Sequence, residues 1–589
     1  MVFSGRLIIK GKNLEKIHPY PLLLLMEAER LGFKSQSWIE FLSDERNFIE
    51  MKDGIPLIHL VPDKEKLEME KFKREVEESS QSNPYSGEPI IKPTSVLLIF
   101  PYSLKDKRWI RMGIPPSLLF LSSSLKSNSH SVKIKKIPIE SEIILEEIEN
   151  FSWIGIPLYD ELFIPVRKLI RSIKERFRVK IAVGGPMVTL SPLAVSAHLP
   201  EANLIVRGEA EETFGKILSL IHDPISNIRE LFKIKGFLYR DDKIMISSSF
   251  SEIPFPELKF SKMDIDSIPD EELEKGLEIN TSRGCPRSCI YCSHVHGKKV
   301  REIPLENIRE WINFFKEKVE TKNIRNPQAL TININDDDIL LNEKRAEKIL
   351  KIIYEEGFKI WGIQTSLETI EEKRGTLDFI FNPEFYFGNQ PLLWLGTDSF
   401  LPERRRRLGR KPLSKKIIEE LIGIFEKKGA RNFHYLILSD HKTDWIEFIE
   451  EILFICELQR SYKYFDIIPT SRFLIPYPYT PSFRTIPIER IEKENLSIKG
   501  YPQFDYPIVK FAKPQNEQIL SLLNPSISFE PLISQKDFVN ALSAKNFREV
   551  INTLYSFLKL SIQKERNGEK RKILINLLED LERKGQNLI

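Results

Sequence analysis

Residues 281 to 297 read TSRGCPRSCIYCSHVHG and hold three of the chain's four cysteines. In 589 residues so poor in cysteine, three in one short loop imply that the loop holds something. Cys285, Cys289 and Cys292 are spaced C-x3-C-x2-C. Gly284 permits an unusual turn and Pro286 keeps Cys285 extended, so three thiolates can wrap one face of a metal cluster. A 4Fe-4S cubane ordinarily takes four cysteines, so a set of three leaves one iron open to a ligand. Zinc with His294 or His296 as fourth ligand is the alternative; Cys3His is a reasonable zinc set, but the spacing is not that of the usual zinc ribbons. A chance cluster of core thiols is the third reading, and the surrounding Pro, Arg, Ser and His count against it. Cys456, in the helix-like WIEFIEEILFICELQ, reads as an inert core thiol.

Outward from this loop the pattern is regular. LEINTS precedes it, and the apolar stretches QALTININ, FKIWGIQTS, PLLWLGTDS, FHYLILSD and YFDIIPTSRFLIP follow, most of them separated by amphipathic helices. In NIREWINFFKEKV, Ile308, Trp311, Ile312 and Phe315 recur at i, i+3, i+4 and i+7. Repeated strand-helix units predict a complete or partial barrel with its chemistry at the carboxyl ends of the strands.

Upstream, from about residue 93, short apolar runs such as TSVLLIF, FSWIGIPL, VKIAVGGPMVTL and ANLIVRG also alternate with helical patterns. This predicts a parallel sheet covered on both faces, a doubly wound α/β domain. Pro101, Gly155, the pair Gly184 and Gly185, and Gly208 directly follow the predicted strands, at the carboxyl ends beyond which ligands sit in such sheets. There is no GxGxxG and no GxxxxGK[ST], which argues against a dinucleotide or a P-loop nucleotide. The first stretch mixes the helix-like PYPLLLLMEAERLGF with a polar, linker-like EESSQSNPYSGEP.

Composition narrows the function classes. With 41% hydrophobic and 10% aromatic residues the chain can bury several cores. A formal net charge of +4 gives no strong push toward nucleic acid or an anionic membrane, and no basic RNA-binding module is evident. No apolar run reaches the roughly 18 residues a membrane span needs, and MVFSGRLIIKGKNLEK has no signal-peptide cleavage pattern, so a soluble cytoplasmic protein is expected.

CPRSCIYC, with aromatic Tyr291 before its last cysteine and a place after the first strand of a strand-helix barrel, resembles the signature of the radical S-adenosylmethionine (SAM) enzymes. The resemblance implies a 4Fe-4S cluster on Cys285, Cys289 and Cys292 whose open iron is chelated by SAM, and one-electron cleavage of SAM to a 5'-deoxyadenosyl radical. Tyr291 falls with the SAM-binding positions. The second strand of that family ends in a Gly-Gly-Glu-like stretch; here NINDDD offers Asp336 and Asp337, which otherwise read as an acidic cap before the next helix. The fourth strand ends GTDSF where relatives carry Gly-x-Glu-Ser, so Asp398 and Ser399 are SAM candidates, with Asp398 one methylene shorter than Glu. Gln364 ends the third strand. ERRRRLGRK reads as a solvated basic helix face, and Arg410 matches a tendency among relatives to place Arg there, against an anionic group.

GGP and RGEAE in the front domain resemble the cobalamin-binding domain fused to one radical SAM subgroup, adding Glu209 to Pro101, Gly155, Gly184, Gly185 and Gly208 as cobalamin candidates. No Asp-x-His-x-x-Gly occurs, and His130 lies in a polar turn, so cobalamin would be held by backbone amides and shape. The implied organisation is an N-terminal α/β segment and linker at 1–90, a Rossmann-like cobalamin-binding-like domain at 91–225, a connector at 226–270, a partial (βα)6 TIM-like radical SAM core at 271–490, and a mainly helical C-terminal domain at 491–589. The implied function is cobalamin-dependent methylation of an unactivated carbon in a small-molecule or peptide substrate, supplied with electrons by an external one-electron reductant. Radical rearrangement, cyclisation or oxidation without methyl transfer is the alternative, and a zinc-stabilised interaction protein is the rival from another class.

Overall fold

The computed structural model describes residues 93–104, 110–139, 148–159, 162–190, 199–224, 226–241, 244–247, 262–440, 442–471 and 537–588, with strands at 7–10, 47–52 and 55–60 and a few short pieces besides. The helix-like and linker stretches expected before residue 90, and most of 491–536, lie outside the described residues. The chain divides into two compact units, Met1–Leu273 and Glu274–Ile589.

The first unit is built on one ten-stranded sheet. Its strands are β1 (Leu7–Lys10), β2 (Asn47–Lys52), β3 (Ile55–Leu60), β4 (Ser95–Tyr102), β5 (Ser131–Pro138), β6 (Trp153–Pro157), β7 (Lys180–Gly184), β8 (Leu204–Val206), β9 (Phe237–Arg240) and β10 (Ile244–Ser247), in the order β2-β3-β1-β10-β9-β8-β7-β6-β4-β5. From β5 to β8 every pairing is parallel. These strands are near-continuous apolar runs, with Val96 to Phe100 and Ile154 buried, as parallel strands covered on both faces require. The helix Phe163–Arg176 turns Phe163, Val166, Ile170 and Ile173 inward as one stripe.

Counted along the chain, the parallel part runs 2-1-3-4-5, the flavodoxin-like order, so its topological switch point lies between β4 and β6. Three strands from the first sixty residues and two from the expected connector at 226–270 extend the sheet beyond β8, a continuation that the doubly wound pattern alone did not announce.

The second unit carries β11 (Leu277–Ile279), β12 (Ser282–Arg283), β13 (Arg301–Glu302), β14 (Thr331–Ile334), β15 (Lys359–Ile360), β16 (Ile363–Ser366), β17 (Leu392–Asp398), β18 (Arg431–Ile437) and β19 (Phe465–Ser471). Two parallel arcs, β11-β14-β15 and β16-β17-β18-β19, make the partial six-stranded barrel that the strand-helix repeats predict. β15 and β16 are one barrel strand interrupted at Trp361 and Gly362: the first half pairs back to β14 and the second pairs forward to β17. A Cβ on Gly362 would come within 2.8 Å of the Leu392 carbonyl oxygen, so the break depends on glycine. Ile308, Trp311, Ile312 and Phe315 are buried on the helix Leu305–Thr321, as their spacing predicts.

The C-terminal end is helical, with Asp537–Ser543, Phe547–Lys564 and Gly568–Leu588. The first of these docks on the helix Trp445–Ser461 through a ring contact between Phe448 and Phe538 and a hydrogen bond from Gln459 to the Leu542 carbonyl.

Gly155 sits inside β6, not beyond its end, and a Cβ there would lie 2.7 Å from the buried Leu98 Cδ2. Gly155→Val should therefore overpack the front sheet and lower the stability of the first unit by about 1–3 kcal/mol despite the good strand propensity of valine. Urea unfolding of the wild type and the variant, followed by tryptophan fluorescence, is the check; an unchanged midpoint would contradict the packing account.

Candidate functional site

The cysteine loop leaves β11 and is closed at its base by the short antiparallel pair β12 and β13. Gly284 opens it at φ +98, and a Cβ there would lie 2.2 Å from the Lys299 carbonyl oxygen, so only glycine fits. Inside the loop the backbone N–H of Cys285 donates to the Gly297 carbonyl at 3.1 Å, that of Gly297 to His294 at 2.7 Å, and that of Cys292 to Cys289 at 3.2 Å. The His294 N–H points at the Cys292 Sγ, 3.4 Å away.

All three cysteines are free; Cys289 is buried and its two neighbours are half-buried. Burial pushes each thiol up, Cys285 to about 11, so holding a metal means displacing protons. Among the described residues no three His, Cys, Asp or Glu side chains converge on the spacing of a single ion. A cubane gives each thiolate its own iron and suits a wider triangle. Both ring nitrogens of His294 are buried in the loop. The donor set therefore fits an iron–sulfur cluster.

The acidic run after β14 divides its work. Asp336 is buried and accepts from the Thr281 N–H at 2.6 Å, the Thr281 hydroxyl at 2.5 Å and the Ser282 hydroxyl at 2.7 Å, clamping the start of the cysteine loop to the end of β14. Burial nevertheless pushes its carboxyl up against the pull of these bonds. Asp338 caps the turn Ile339–Asn342 and takes the hydroxyls of Thr365 and Thr369 at 2.6 and 2.7 Å. Asp337 is the exposed member; it accepts from the Gly284 N–H at 2.8 Å and faces Cys285 and Cys292 electrostatically.

At the end of β17 the chain bulges between Gly396 and Asp398, and Asp398 is left-handed at φ +62, a strained state for a residue with a side chain. Its carboxylate accepts the Tyr291 hydroxyl at 2.5 Å and the Arg410 Nε–H at 2.5 Å. Ser399 is buried and donates to Glu451 at 2.7 Å, so its hydroxyl is occupied by the protein.

The basic run departs from its reading as a solvated face. Arg404 and Arg405 are fully buried, Arg404 paired with Glu451 and Asp440 and Arg405 with Glu368 at 2.8 Å. Burial is possible because acidic partners from three other elements meet the guanidiniums. Arg406 alone among the four stays largely in water. Sequence reasoning missed Glu368, Asp440 and Glu451; each stands 30 to 50 residues from its arginine, and only the matching of buried charge could have hinted at them.

One face of the β16–β19 arc is packed: His434 stacks between Phe400 and Phe465, with ring centroids 5.3 and 4.7 Å away. The opposite, inner face presents Gln364, which is exposed, beside half-buried Trp394 and Phe433 in register. Buried Glu278 on β11 accepts from the amides of Asn333 at 3.0 Å and Asn335 at 2.8 Å. Aromatic walls with a few placed polar groups are the usual lining of an organic-ligand site.

In the first unit, Pro101 lies on β4 and Gly184 ends β7 at the carboxyl edge. Gly185 is left-handed at φ +92, and a Cβ there would lie 3.1 Å from the Leu158 nitrogen. Gly208, also left-handed, donates from its N–H to the Thr189 hydroxyl at 3.0 Å, which in turn donates to the Gly185 carbonyl at 3.0 Å. The two glycine turns are thus one linked structure, with Glu209 buried beside them. His130 precedes β5 and so lies at the amino edge, bonded to Thr94, Gly215 and Ser219.

Among known proteins, no protein-family model matches the chain. An uncharacterized methyltransferase of Pyrococcus horikoshii is 29% identical over 304 residues, which cover 48% of this chain and 62% of that protein. An anaerobic magnesium-protoporphyrin IX monomethyl ester cyclase of Synechocystis is 26% identical over 132 residues, covering 22% of this chain and 26% of that one. The chain thus spans less than two thirds of either relative. The cobalamin-dependent SAM radical enzyme OxsB, with aqua-cobalamin bound, superposes at a TM-score of 0.54 and 15% identity over 99% of this chain and 79% of that chain. The fold is that of the cobalamin-dependent radical SAM enzymes. The radical SAM methyltransferase TsrM of Kitasatospora setae, with tryptophan and a SAM analogue bound, matches this radical SAM fold at a TM-score of 0.50 and 15% identity, over 66% of this chain and 74% of that one.

Replacing Gly284 by alanine must move the Lys299 carbonyl or the loop. A strain of about 1–3 kcal/mol corresponds to roughly a 5- to 150-fold loss of iron affinity. Iron and acid-labile sulfide per chain in Gly284→Ala, alongside far-UV circular dichroism, check it: the metal should fall while the helix signal stays.

Proposed function

We propose that this protein is a cobalamin-dependent radical SAM enzyme, a methyltransferase acting on an unactivated carbon. The observation that carries the reading is the glycine-hinged loop of three free cysteines after the first strand of a six-stranded partial barrel. The doubly wound sheet with its glycine turns at the carboxyl edge and the methyltransferase relative support the same reading. When bound, the cluster supplies one electron to break a carbon–sulfur bond of SAM, and cobalamin carries the methyl group.

Cys285, Cys289 and Cys292 would hold the cluster. Asp337 and Gln364, exposed near the loop and on the inner face, have capacity left for SAM, and Tyr291 falls between Cys289 and Cys292 in the chain. Asp336, Asp398 and Ser399 act mainly through the protein, as clamps on the elements around that site. Gly184, Gly185, Gly208 and Glu209, with Pro101, would line the cobalamin; Gly155 contributes strand packing. The aromatic inner face suits a small-molecule or peptide substrate, and electrons would come from an external one-electron donor in the cytoplasm. No helix among the described residues is long and apolar enough to cross a membrane.

The balance is closed: two SAM, one substrate C–H and two electrons give methylated product, 5'-deoxyadenosine, methionine and S-adenosylhomocysteine. The cyclase relative favours a second reading, radical cyclisation or rearrangement without methyl transfer.

Anaerobically reconstituted protein should be brown, hold about four irons and bind cobalt as cobalamin, while the Cys289→Ala variant should lack the iron and sulfide and form no 5'-deoxyadenosine. With methyl-deuterated SAM the product should gain three deuteriums. Deoxyadenosine without label in product selects the cyclase-like reading, and a colourless protein holding a single zinc overturns both.

A further inference from the structure

The densest buried charge beside the cysteine loop converges on one side chain. Arg410 donates to Asp398 through Nε at 2.5 Å, to Glu368 through Nη1 at 3.1 Å and to the Tyr291 hydroxyl through Nη2 at 2.9 Å. Its side chain is one-tenth exposed, and Glu368 is almost fully buried. Glu368 is shared among Arg410, Arg405 at 2.8 Å and Arg287 at 3.4 Å. The network therefore ties together the cysteine loop, the helix after β16, the end of β17 and the helix that follows β17.

Two glycines set its geometry. A Cβ on Gly396 would lie 3.1 Å from Arg410 Nη2. Gly409, left-handed at φ +76, sits so close to the cysteine loop that a Cβ would be 2.2 Å from the Ser288 carbonyl oxygen and 3.2 Å from the Cys289 Cα. The Ile290 N–H donates to the Leu408 carbonyl at 3.0 Å. The residues flanking Cys289 thus lean on the residues flanking Arg410.

We propose that Arg410 is a positioning residue with a redox consequence: fixed by Asp398 and Glu368, it holds the cysteine loop through the Tyr291 hydroxyl and sets the poise of the iron–sulfur centre on its three thiolates. The inference rests on the cluster reading given above. Tyr291 then serves through its hydroxyl as well as its ring, and Asp398 is the arginine's anchor, which explains why the chain keeps it in a left-handed state. The Tyr291 hydroxyl donates to Asp398 at 2.5 Å and accepts from Arg410 at 2.9 Å, so the guanidinium is one hydrogen bond away from a residue that lies between Cys289 and Cys292 in the chain. A fixed cation near a cluster favours its more negative, reduced state, so removing the cation makes reduction harder.

The test is an EPR-monitored redox titration of the reconstituted full chain without SAM, run beside iron release to a chelator. Arg410→Gln should shift the midpoint to more negative potential, whereas Arg410→Lys should keep the midpoint nearer wild type yet lose iron several-fold faster, because the fork to Tyr291 is gone. Tyr291→Phe should speed iron release with the smaller shift in potential. A folded, fully loaded Arg410→Gln protein with wild-type midpoint and wild-type iron release overturns the proposal. Should Arg410→Gln not fold, unchanged iron release in both Arg410→Lys and Tyr291→Phe overturns it equally. A wild-type chain that assembles no cluster sinks the reading beneath it as well, an outcome distinguishable because it appears before any variant is made.

Discussion

The cysteine loop of the second unit is held by two close backbone approaches that leave no room for a side chain. Lys299 approaches Gly284 on one flank, and Gly409 approaches Ser288 on the other, each to 2.2 Å from where a Cβ would stand. A loop with three thiols and few apolar residues has little hydrophobic reason to hold one shape. Here the shape comes from close backbone approach, from the Asp336 clamp on Thr281 and Ser282, and from the Tyr291 hydroxyl. The apolar support is small: Ile290 and Tyr291 lie against Leu408, Ile437 and Leu474.

Holding the loop this way brings charge into the interior. Arg404, Arg405 and Glu368 are almost wholly withdrawn from water, where an unpaired ion would be strongly unfavourable. The structure meets that by sharing: Glu451 takes both Ser399 and Arg404, Asp440 takes Arg404 and Arg407, and Glu368 takes three guanidiniums. Arginine suits this role better than lysine, because one planar fork reaches two or three acceptors at once. Such networks add little net stability over an apolar core, so their value here is geometric, aligning the ends of several barrel strands.

Much of this was legible in the sequence. The Ile308–Phe315 stripe, the strand-helix alternation in both halves and the glycine-flanked cysteine loop are local patterns, and local patterns survive in one dimension. The burial of Arg404 and Arg405 was not legible, because a run of four arginines is read as solvated until its acids are found on other elements. Asp398 and Ser399 sit where a SAM-binding motif resembles them, yet their first partners are Arg410, Tyr291 and Glu451. Motif position says where a side chain is in the chain; the bulge after Gly396 decides where it points. The strands of the first sixty residues joined the front sheet by long-range pairing, which no short window contains.

The two units share one organising rule without sharing a fold. In each, parallel strands release the chain at their carboxyl ends into turns that need glycine, Gly185 and Gly208 in the first and Gly284 in the second. Parallel strands all end on the same side, so loops of unrelated sequence distance meet there, and backbone without side chains can approach a ligand closely. The first unit also shows what that edge leaves out: His130 sits at the opposite edge of the sheet, engaged by Thr94, Gly215 and Ser219, and is in no position to bind a metal at the carboxyl ends. The described turns at the carboxyl edge offer a ligand closely approaching backbone instead.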